Sequence, residues 1–481
     1  MSDLPITVLQ FGEGNFLRAF ADYMIDVCNE KKLFNVSVVI VKPIRYGTLN
    51  KFRKQACRYH VLLRGMAEGR AFEQIREINC VSDVLCAYED YHSYSEYARS
   101  ETLRFIISNT TEAGIVLDPD DRYDFVPPNS FPGKLTKFLH QRWKHFQGAP
   151  DKGVIMLPVE LIDDNGSALR SCVHQLCRLW ALEPEFVAWL DHSCVFANTL
   201  VDRIVSGFPA DEAEAIWKRI GMRDELLVAC EPFALWVIES EKDISEEFPL
   251  PQAGLPVLFT KNQKPYKQRK VRILNGAHTS FCLMSYLCGN DLVLQSMEDA
   301  QVSRFIHDII RQEIIPTLDL PKEDLICFAD SVEERFRNPY VKHQLLSISL
   351  NSVSKWKARC MPSLLEYVMR FGVLPMRLTF SLAALMAFYH GKEMIGDTMY
   401  GERGQQKYPV HDDPEVLSFF MRSKEMGALE LTDAYLSDPK LSDPRLARLP
   451  GIAQTVGEML DSIYKQGMRN SLNRYFPSAI E

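Results

Sequence analysis

The chain has 481 residues, of which 46% are hydrophobic and 25% are charged, and its formal net charge at pH 7 is -8. This length exceeds what one hydrophobic core usually supports, so we expect two domains. The acidic balance argues against a nucleic-acid-binding protein, which normally carries a basic surface. No apolar run approaches the roughly 18 residues needed to span a bilayer, and the N-terminus lacks signal-peptide features. We therefore expect a cytoplasmic protein without a membrane partner.

The 12 cysteines are scattered along the chain. They form no Cys-x-x-Cys pair and no Cys/His cluster at the spacing of a zinc site. We expect reduced, mostly buried thiols and no structural metal.

The N-terminal segment predicts a strand, a glycine turn and a helix. An apolar run over residues 6–11 precedes Gly12 and Gly14, and apolar residues then recur at helical spacing. This is the first unit of a dinucleotide-binding fold, in which the glycines let the backbone approach the pyrophosphate at a helix N-terminus. Leu17 replaces the third glycine of the usual fingerprint, so a plain strand-turn-helix remains the alternative. Arg18 follows, either reaching a phosphate or lying exposed on the helix.

The second predicted strand, residues 36–41, ends in Lys42-Pro43 and not in an acidic residue. The acidic residue that usually binds the ribose of NAD is therefore missing, and Lys42 could favour a phosphate. The residues alone leave NAD and NADP both open.

Two further predicted strands end in polar residues. Ser108, Asn109 and Thr110 follow the first of these strands, and small polar residues at such a strand end line the nucleotide crevice of an open α/β sheet. The alternative is a polar turn that caps the next element. Glu160 follows the second strand, at the usual place for a functional side chain, although ordinary loop carboxylates also fill such positions.

The character of the sequence changes near Pro265. Residues 1–258 predict a strand-rich, Rossmann-like α/β domain, and residues 259–481 predict a mostly α-helical substrate domain. Predicted helices cover residues 273–287, 301–314, 340–356, 375–389, 414–422 and 452–465, and Asn338-Pro339 marks the start of the third as a cap followed by proline. Residues 401–409 predict a mobile loop.

Lys270, Asn275 and His278 place an amine, an amide and an imidazole within nine positions. In a helix that turns about 100° per residue, Asn275 lies about 140° and His278 about 80° round from Lys270, so all three could face one cleft. A lysine in a partly dry cleft can serve as general base toward an alcohol, while the amide stabilises the developing charge and the imidazole orients a hydroxyl. The alternative is a capped helix start with a solvated lysine.

Arg337, His343 and Lys355 are cations that could bind a substrate carboxylate, the alternative being ordinary exposed charges. The sequence does not rank them.

Taken together, these motifs resemble the long-chain polyol (mannitol-type) dehydrogenases. The stretches that carry the resemblance are residues 11–19, 108–114, 200–204 and 335–339, together with the pattern Lys270, four residues, Asn275, two residues, His278. The resemblance implies a Rossmann-like domain that binds NAD and a helical domain with Lys270 as general acid/base, Asn275 at the alkoxide and His278 on a substrate hydroxyl. The cofactor-binding residues it implies are Phe11, Gly12, Glu13, Gly14, Asn15, Phe16, Arg18, Ser108, Asn109 and Thr110, and the substrate-binding residues are Glu160, Arg337, His343 and Lys355.

One departure concerns the substrate. Mannitol and fructuronate members of the family usually carry Asp-Asn where this chain has Glu160-Leu161, so a second amide is missing here. This disfavours mannitol-like substrates and fits the branch of the family that acts on tagaturonate. That branch is resembled most closely, in residues 10–19, 108–115, 160–163, 264–267, 274–279 and 335–349. The resemblance implies reversible hydride transfer between D-altronate and D-tagaturonate in hexuronate breakdown, with NAD and no metal. A fructuronate reductase, mannonate dehydrogenase or polyol dehydrogenase of the same family is the alternative.

Two other classes of protein are compatible with a glycine turn after a first strand. A non-catalytic NAD(H)-sensing protein is disfavoured by the complete set of Lys270, Asn275 and His278. An S-adenosylmethionine methyltransferase is disfavoured by the missing acidic residue after the second strand.

Overall fold

The computed structural model describes residues 4–111 and 113–477, so that Glu112 of the polar motif lies outside the described residues. The chain divides into two compact units, one of Met1–Gly65 with Ala71–Gln263 and one of Met66–Arg70 with Lys264–Glu481. The boundary predicted after residue 258 lies a few residues before this division.

The first unit is built around a parallel sheet of six strands. Along the sheet the strands are Val81–Cys86, Ser37–Lys42, Ile6–Phe11, Phe105–Ser108, Ile155–Pro158 and Val195–Phe196. The strand order reverses between Ile6–Phe11 and Phe105–Ser108, and ligands bind such sheets at the carboxyl ends of the strands at this point. The predicted Rossmann-like class is confirmed.

Successive residues of the strands in this sheet pack into two separate hydrophobic cores, one on each face. Val38 and Ile40 pack into one hydrophobic cluster, whereas Val39 and Val41 pack into another on the opposite face. This burial on both faces explains the continuous apolar strands in the sequence. The helices of the unit are Asn15–Leu17, Arg18–Asp22 (a π-helix), Tyr23–Glu30, Asn50–Lys54, Tyr91–Glu96, Phe131–His145, Asn165–Leu179, Pro184–Ser193 and Ala213–Ile220, with 3-10 turns at Tyr97–Arg99, Pro150–Lys152, Ala210–Glu212 and Leu250–Ala253.

Two smaller sheets complete the strands in this part of the chain. One runs in the order Val205–Gly207, Val228–Cys230, Tyr59–Ala67 and Arg70–Ile78, and the other in the order Val257–Thr260, Leu235–Glu239 and Asn198–Asp202.

The second unit is mostly helical, as predicted. Its helices are Lys264–Arg269, Lys270–Gly276 (π), Ala277–Leu287, Val293–Glu298, Ala300–Asp308, Ile309–Ile314 (π), Ile315–Thr317 (3-10), Lys322–Phe336, Leu345–Ile348, Ser352–Arg359, Met361–Phe371, Met376–Phe388, Pro414–Arg422, Ala428–Ser437, Pro444–Ala447, Ile452–Gln466 and Met468–Tyr475. Within the described ranges, every helix is too short or too polar to span a bilayer.

Three predictions for this unit are wrong. The single helix expected over residues 340–356 is replaced by two short helices, Leu345–Ile348 and Ser352–Arg359. The expected loop over residues 401–409 belongs to an antiparallel sheet of Glu393–Ile395, Thr398–Arg403 and Gln406–Val410, in which a tight turn at Gly404 joins the last two strands. Asn338-Pro339 does not start a helix, because the Asn338 side chain accepts a hydrogen bond from the Tyr340 amide (3.0 Å) in a turn after Lys322–Phe336.

Candidate active site

The glycine turn lies at the carboxyl end of the strand Ile6–Phe11, at the point where the strand order reverses. Gly12 has φ +125°, and its amide donates to the carbonyl of Val41 (3.0 Å) on the adjacent strand. A Cβ atom at Gly12 would lie 2.9 Å from the carbonyl oxygen of Asn109, whose own amide donates to Phe11 (3.0 Å). Only glycine fits both this conformation and this close approach.

Gly14 leaves open space at the start of the following helix. A Cβ atom built on Gly14 would meet no described atom within 4 Å, and Gly14 and Asn15 are both exposed. The ring of Phe16 stacks on Phe20 with centroids 4.9 Å apart and so anchors the first helical turn. An open helix N-terminus after a glycine turn suits the close approach of an anion such as a pyrophosphate.

Arg18 is buried and bonded to protein atoms. Its Nε donates to the carbonyl of Glu13 (3.2 Å), Nη2 to Oδ1 of Asn15 (2.6 Å) and Nη1 to the carbonyl of Leu226. Its pKa is lowered by burial. The Arg18 side chain therefore stabilises the glycine turn itself. Its predicted contact with a phosphate stays a prediction.

Glu160 joins two strand ends. Its Oε1 accepts hydrogen bonds from the amide and the hydroxyl of Thr110 (2.9 Å each), and its Oε2 accepts from the hydroxyl of Ser108 (3.1 Å). Burial raises the pKa of Glu160, although these hydrogen bonds favour the carboxylate. The side chain therefore holds the Ser108–Thr110 segment in place, and its predicted contact with substrate stays a prediction.

Lys42 lies at the end of the second strand of the sheet. Its side chain is 1% exposed, and Nζ donates to the carbonyl of Gly47 (2.9 Å). The amine is therefore turned inward, and the suggestion that it favours a phosphate loses its basis.

In the second unit, Lys270 and Asn275 lie on a π-helical segment, Lys270–Gly276, between the helices Lys264–Arg269 and Ala277–Leu287. A π-helix bonds i to i+5 and turns less per residue than an α-helix, so the angles expected at 100° per residue do not hold here. Single π turns inside longer helices occur frequently at functional sites. Both side chains are partly exposed.

The π segment is packed against backbone of the helix Ser352–Arg359. A Cβ atom at Gly276 would lie 3.2 Å from the carbonyl oxygen of Arg359. The carbonyl of Gly276 in turn accepts a hydrogen bond from the Cys360 thiol (3.4 Å). This close approach holds the segment in position at its C-terminal end.

The His278 ring lies among other rings. Its centroid is 4.3 Å from that of Phe336, 5.3 Å from that of His343 and 5.8 Å from that of Phe281. The Nε2 atom is buried and has no hydrogen-bond partner among the described residues. A buried polar atom without a partner is costly, so this nitrogen suits a ligand hydroxyl.

The ionisation of His278 follows from this setting. Burial lowers its pKa well below the usual range, and the charges of His343, Arg335 and Arg359 lower it further. At neutral pH the ring is therefore uncharged, with one nitrogen that donates and one that accepts.

The three predicted carboxylate-binding cations lie in different surroundings. His343 contacts the His278 ring, and burial lowers its pKa. Burial, followed by the charge of Arg359, also lowers the pKa of Lys355, whose Nζ donates to a backbone carbonyl at 3.0 Å. Arg337 instead faces Glu333 (3.5 Å) and a serine hydroxyl (3.4 Å).

Arg359 is a cation that the sequence analysis missed. Its Nη1 donates to the hydroxyl of Thr279 (3.4 Å), the residue after His278. The predicted helix over residues 340–356 ended before Arg359. The signal that could have found it is the four-residue spacing from Lys355, which puts both cations on one helix face.

The chain is similar to known proteins along nearly its whole length. Sequence models of the mannitol dehydrogenase Rossmann domain and the mannitol dehydrogenase C-terminal domain match residues 6–251 and 262–441. An altronate oxidoreductase of Klebsiella pneumoniae (strain 342) is 42% identical over 475 residues, 97% of this chain and 96% of that protein. One from Enterobacter sp. (strain 638) is 43% identical over 477 residues, 98% and 97% of the two chains.

Two solved structures have the same fold at low sequence identity. A D-sorbitol dehydrogenase in substrate-free form superimposes with a TM-score of 0.79 at 20% identity, covering 98% of this chain and 95% of that one. A Pseudomonas fluorescens mannitol 2-dehydrogenase, solved with NAD and D-mannitol, has a TM-score of 0.64 at 19% identity, covering 98% and 94%.

Proposed function

The chain belongs to the mannitol dehydrogenase family, and we propose that it interconverts D-altronate and D-tagaturonate by NAD-dependent hydride transfer in hexuronate breakdown. The observation that carries this proposal is the identity of 42–43% to altronate oxidoreductases along nearly the whole of both chains. Lys270, Asn275 and His278 supply the acid/base, amide and imidazole groups that the reaction requires.

The residues of the first unit fit a dinucleotide. Gly12 permits the tight turn, and the open space at Gly14 admits a pyrophosphate to the start of the helix. Asn109 and Thr110 lie beside this turn, held by Phe11 and Glu160. Bound NAD supplies a hydride acceptor for the carbon that bears the reacting hydroxyl.

The catalytic roles belong to the second unit. During oxidation of altronate, the Lys270 amine takes the proton of the hydroxyl as the C–H bond breaks and the carbonyl forms, and it returns a proton during reduction. The Asn275 amide donates a hydrogen bond to the oxygen on which negative charge develops. Neutral His278 holds a neighbouring substrate hydroxyl through its unpaired, buried Nε2.

The experiment that tests this proposal is the oxidation of NADH with tagaturonate, fructuronate and fructose in turn, followed by the loss of nicotinamide absorbance and repeated with NADPH. We expect turnover with tagaturonate and NADH. Preference for fructuronate or fructose would keep the family and overturn the substrate. NADH binding without turnover on any of the three would favour the NAD(H)-sensing protein.

A further inference from the structure

Lys355 and Arg359 of the helix Ser352–Arg359 are two cations without an ion-pair partner among the described residues. Lys355 and Arg359 are four residues apart and so lie on the same helix face, where like charges destabilise a helix. No carboxylate among residues 4–111 and 113–477 forms an ion pair with either side chain. Asp412 is the acid with an electrostatic effect on Lys355, and it already accepts hydrogen bonds from the Tyr389 hydroxyl (2.5 Å) and the Val353 amide (3.2 Å).

The guanidinium of Arg359 has donors to spare. Only Nη1 is engaged, by a 3.4 Å hydrogen bond to the Thr279 hydroxyl, and the other nitrogens make no hydrogen bond to described residues. The side chain is partly buried, and burial lowers its pKa. A half-buried guanidinium with unused donors is a fork that fits the two oxygens of a carboxylate.

Arg359 is also fixed next to the proposed catalytic groups. The Thr279 hydroxyl that accepts from Arg359 donates in turn to the carbonyl of Asn275 (2.9 Å), and the Arg359 charge acts on His278. The carbonyl of Arg359 packs against Gly276, which fixes the start of its side chain. A ligand bonded to His278 is therefore within the field of this guanidinium.

We propose that Arg359 binds the carboxylate of the sugar-acid substrate and so selects a keto acid over the corresponding ketose. This inference rests on the function proposed above. Arg337 is less suited to the role, because its guanidinium already faces Glu333 (3.5 Å) and is 41% exposed. An anion at Arg359 offsets the repulsion between this cation and Lys355, which a neutral ketose does not do.

The test compares two substrates that differ at one carbon. D-tagatose carries a CH2OH group where D-tagaturonate carries its carboxylate. We expect Arg359→Gln, which keeps a donor for Thr279 but no charge, to lower kcat/KM for tagaturonate about 100-fold, mainly through KM. In the same variant, kcat/KM for tagatose stays within about twofold of the wild-type value. If tagatose turns over too slowly, the inhibition constant of tagatose against tagaturonate is measured instead and should stay within the same range. Arg359→Lys, which keeps the charge without the fork, falls between the wild type and Arg359→Gln.

The controls separate the two proposals. Arg422→Ala removes an exposed guanidinium of the same unit, which lies over the Phe419 ring, and leaves both substrates unaffected. An equal loss for tagaturonate and tagatose in Arg359→Gln would overturn the inference and assign Arg359 to holding Thr279 and Asn275. Absence of tagaturonate turnover in the wild type would instead overturn the proposed function, and the ratio would then be measured with the sugar acid that is turned over and its ketose.

Discussion

The cradle, by which we mean the glycine turn Gly12–Gly14 with the Ser108–Thr110 segment, differs from the surroundings of His278 in how its polar groups are bonded. In the first unit, Arg18 and Glu160 are bonded to the chain itself, which completes the glycine turn and the Ser108–Thr110 segment without a ligand. In the second unit, His278 Nε2 has no partner among the described residues and Arg359 has unused donors. The protein itself therefore completes the hydrogen bonds of the cradle, whereas in the proposed function the substrate completes those of His278 and Arg359.

The largest expected effect is that of Lys270→Ala. Without the amine no positioned group takes the alcohol proton, so we expect turnover to fall about 1,000-fold. NADH affinity, measured by fluorescence titration, stays close to that of the wild type because the cradle lies in the first unit. Lys424→Ala, at an exposed lysine of the second unit, is the matched control. Turnover retained in Lys270→Ala would remove Lys270 from the mechanism.

His278→Phe tests the unpaired imidazole. Phenylalanine keeps the ring contact with Phe336 but lacks a nitrogen for the substrate hydroxyl, and we expect kcat/KM to fall about 100-fold at an unchanged melting temperature. Since burial lowers the pKa of His278 well below its usual range, the ring is uncharged at neutral pH. The pH–activity profile of His278→Phe should therefore have the same midpoints as that of the wild type. If one of the two sloping sides of the profile disappears in the variant, His278 titrates in the pH range of activity.

Glu160→Gln tests whether the carboxylate of Glu160 holds the Ser108–Thr110 segment in place. The NH2 group replaces one of the two carboxylate oxygens, of which Oε1 accepts hydrogen bonds from Thr110 and Oε2 accepts one from Ser108. The Ser108–Thr110 segment therefore loosens, and we expect the Kd for NADH, measured by calorimetry, to rise about 10-fold. We expect kcat at saturating NADH to change little. Glu185→Gln, at an exposed carboxylate of the same unit, serves as the control. A loss in kcat with unchanged NADH affinity would support the predicted contact with substrate instead.

The smallest effect concerns a buried carboxylate beside the cradle. Asp22 accepts hydrogen bonds from the Tyr59 hydroxyl (2.7 Å) and the Gln10 amide (3.4 Å), and burial raises its pKa to about 7. A pKa raised in the folded state contributes stability that is present at low pH and lost as the pH rises toward 7. Asp22→Asn mimics the protonated form and does not titrate. Between pH 5 and pH 8 the free energy of unfolding of the variant should therefore fall by on the order of 2 kcal/mol less than that of the wild type. The same dependence of melting temperature on pH in both proteins would contradict this.

Elements with strong local patterns were predictable. The apolar strands and the glycine turn at Gly12 follow from residue type, and the predicted helices over residues 375–389, 414–422 and 452–465 correspond to Met376–Phe388, Pro414–Arg422 and Ile452–Gln466. The strands of residues 393–410 were missed because glycines and polar residues interrupt them. The π-helical segments were missed because residue type distinguishes a π-helix from an α-helix poorly.

Side-chain roles that depend on distant residues were not predictable. Arg18 donates a hydrogen bond to the carbonyl of Leu226, and Glu160 accepts hydrogen bonds from Ser108 and Thr110. In both cases the partners are far away in the chain. Arg359 emerged only when the fold brought it to Thr279. The chemistry of Lys270, Asn275 and His278 could be proposed from spacing, whereas the partners of each group required the fold.

The π-helical segment has a consequence for protein engineering. Because its hydrogen bonds skip one residue more than those of an α-helix, deletion of Val271 would let the segment relax into an ordinary helix. The residues on either side would then rotate against one another by about 100°, which changes the direction of the Lys270 side chain relative to His278. Grafting the Lys, Asn and His at their native spacing onto a straight helix of another scaffold would fail for the same reason. The transferable unit is the three side chains together with the local backbone winding.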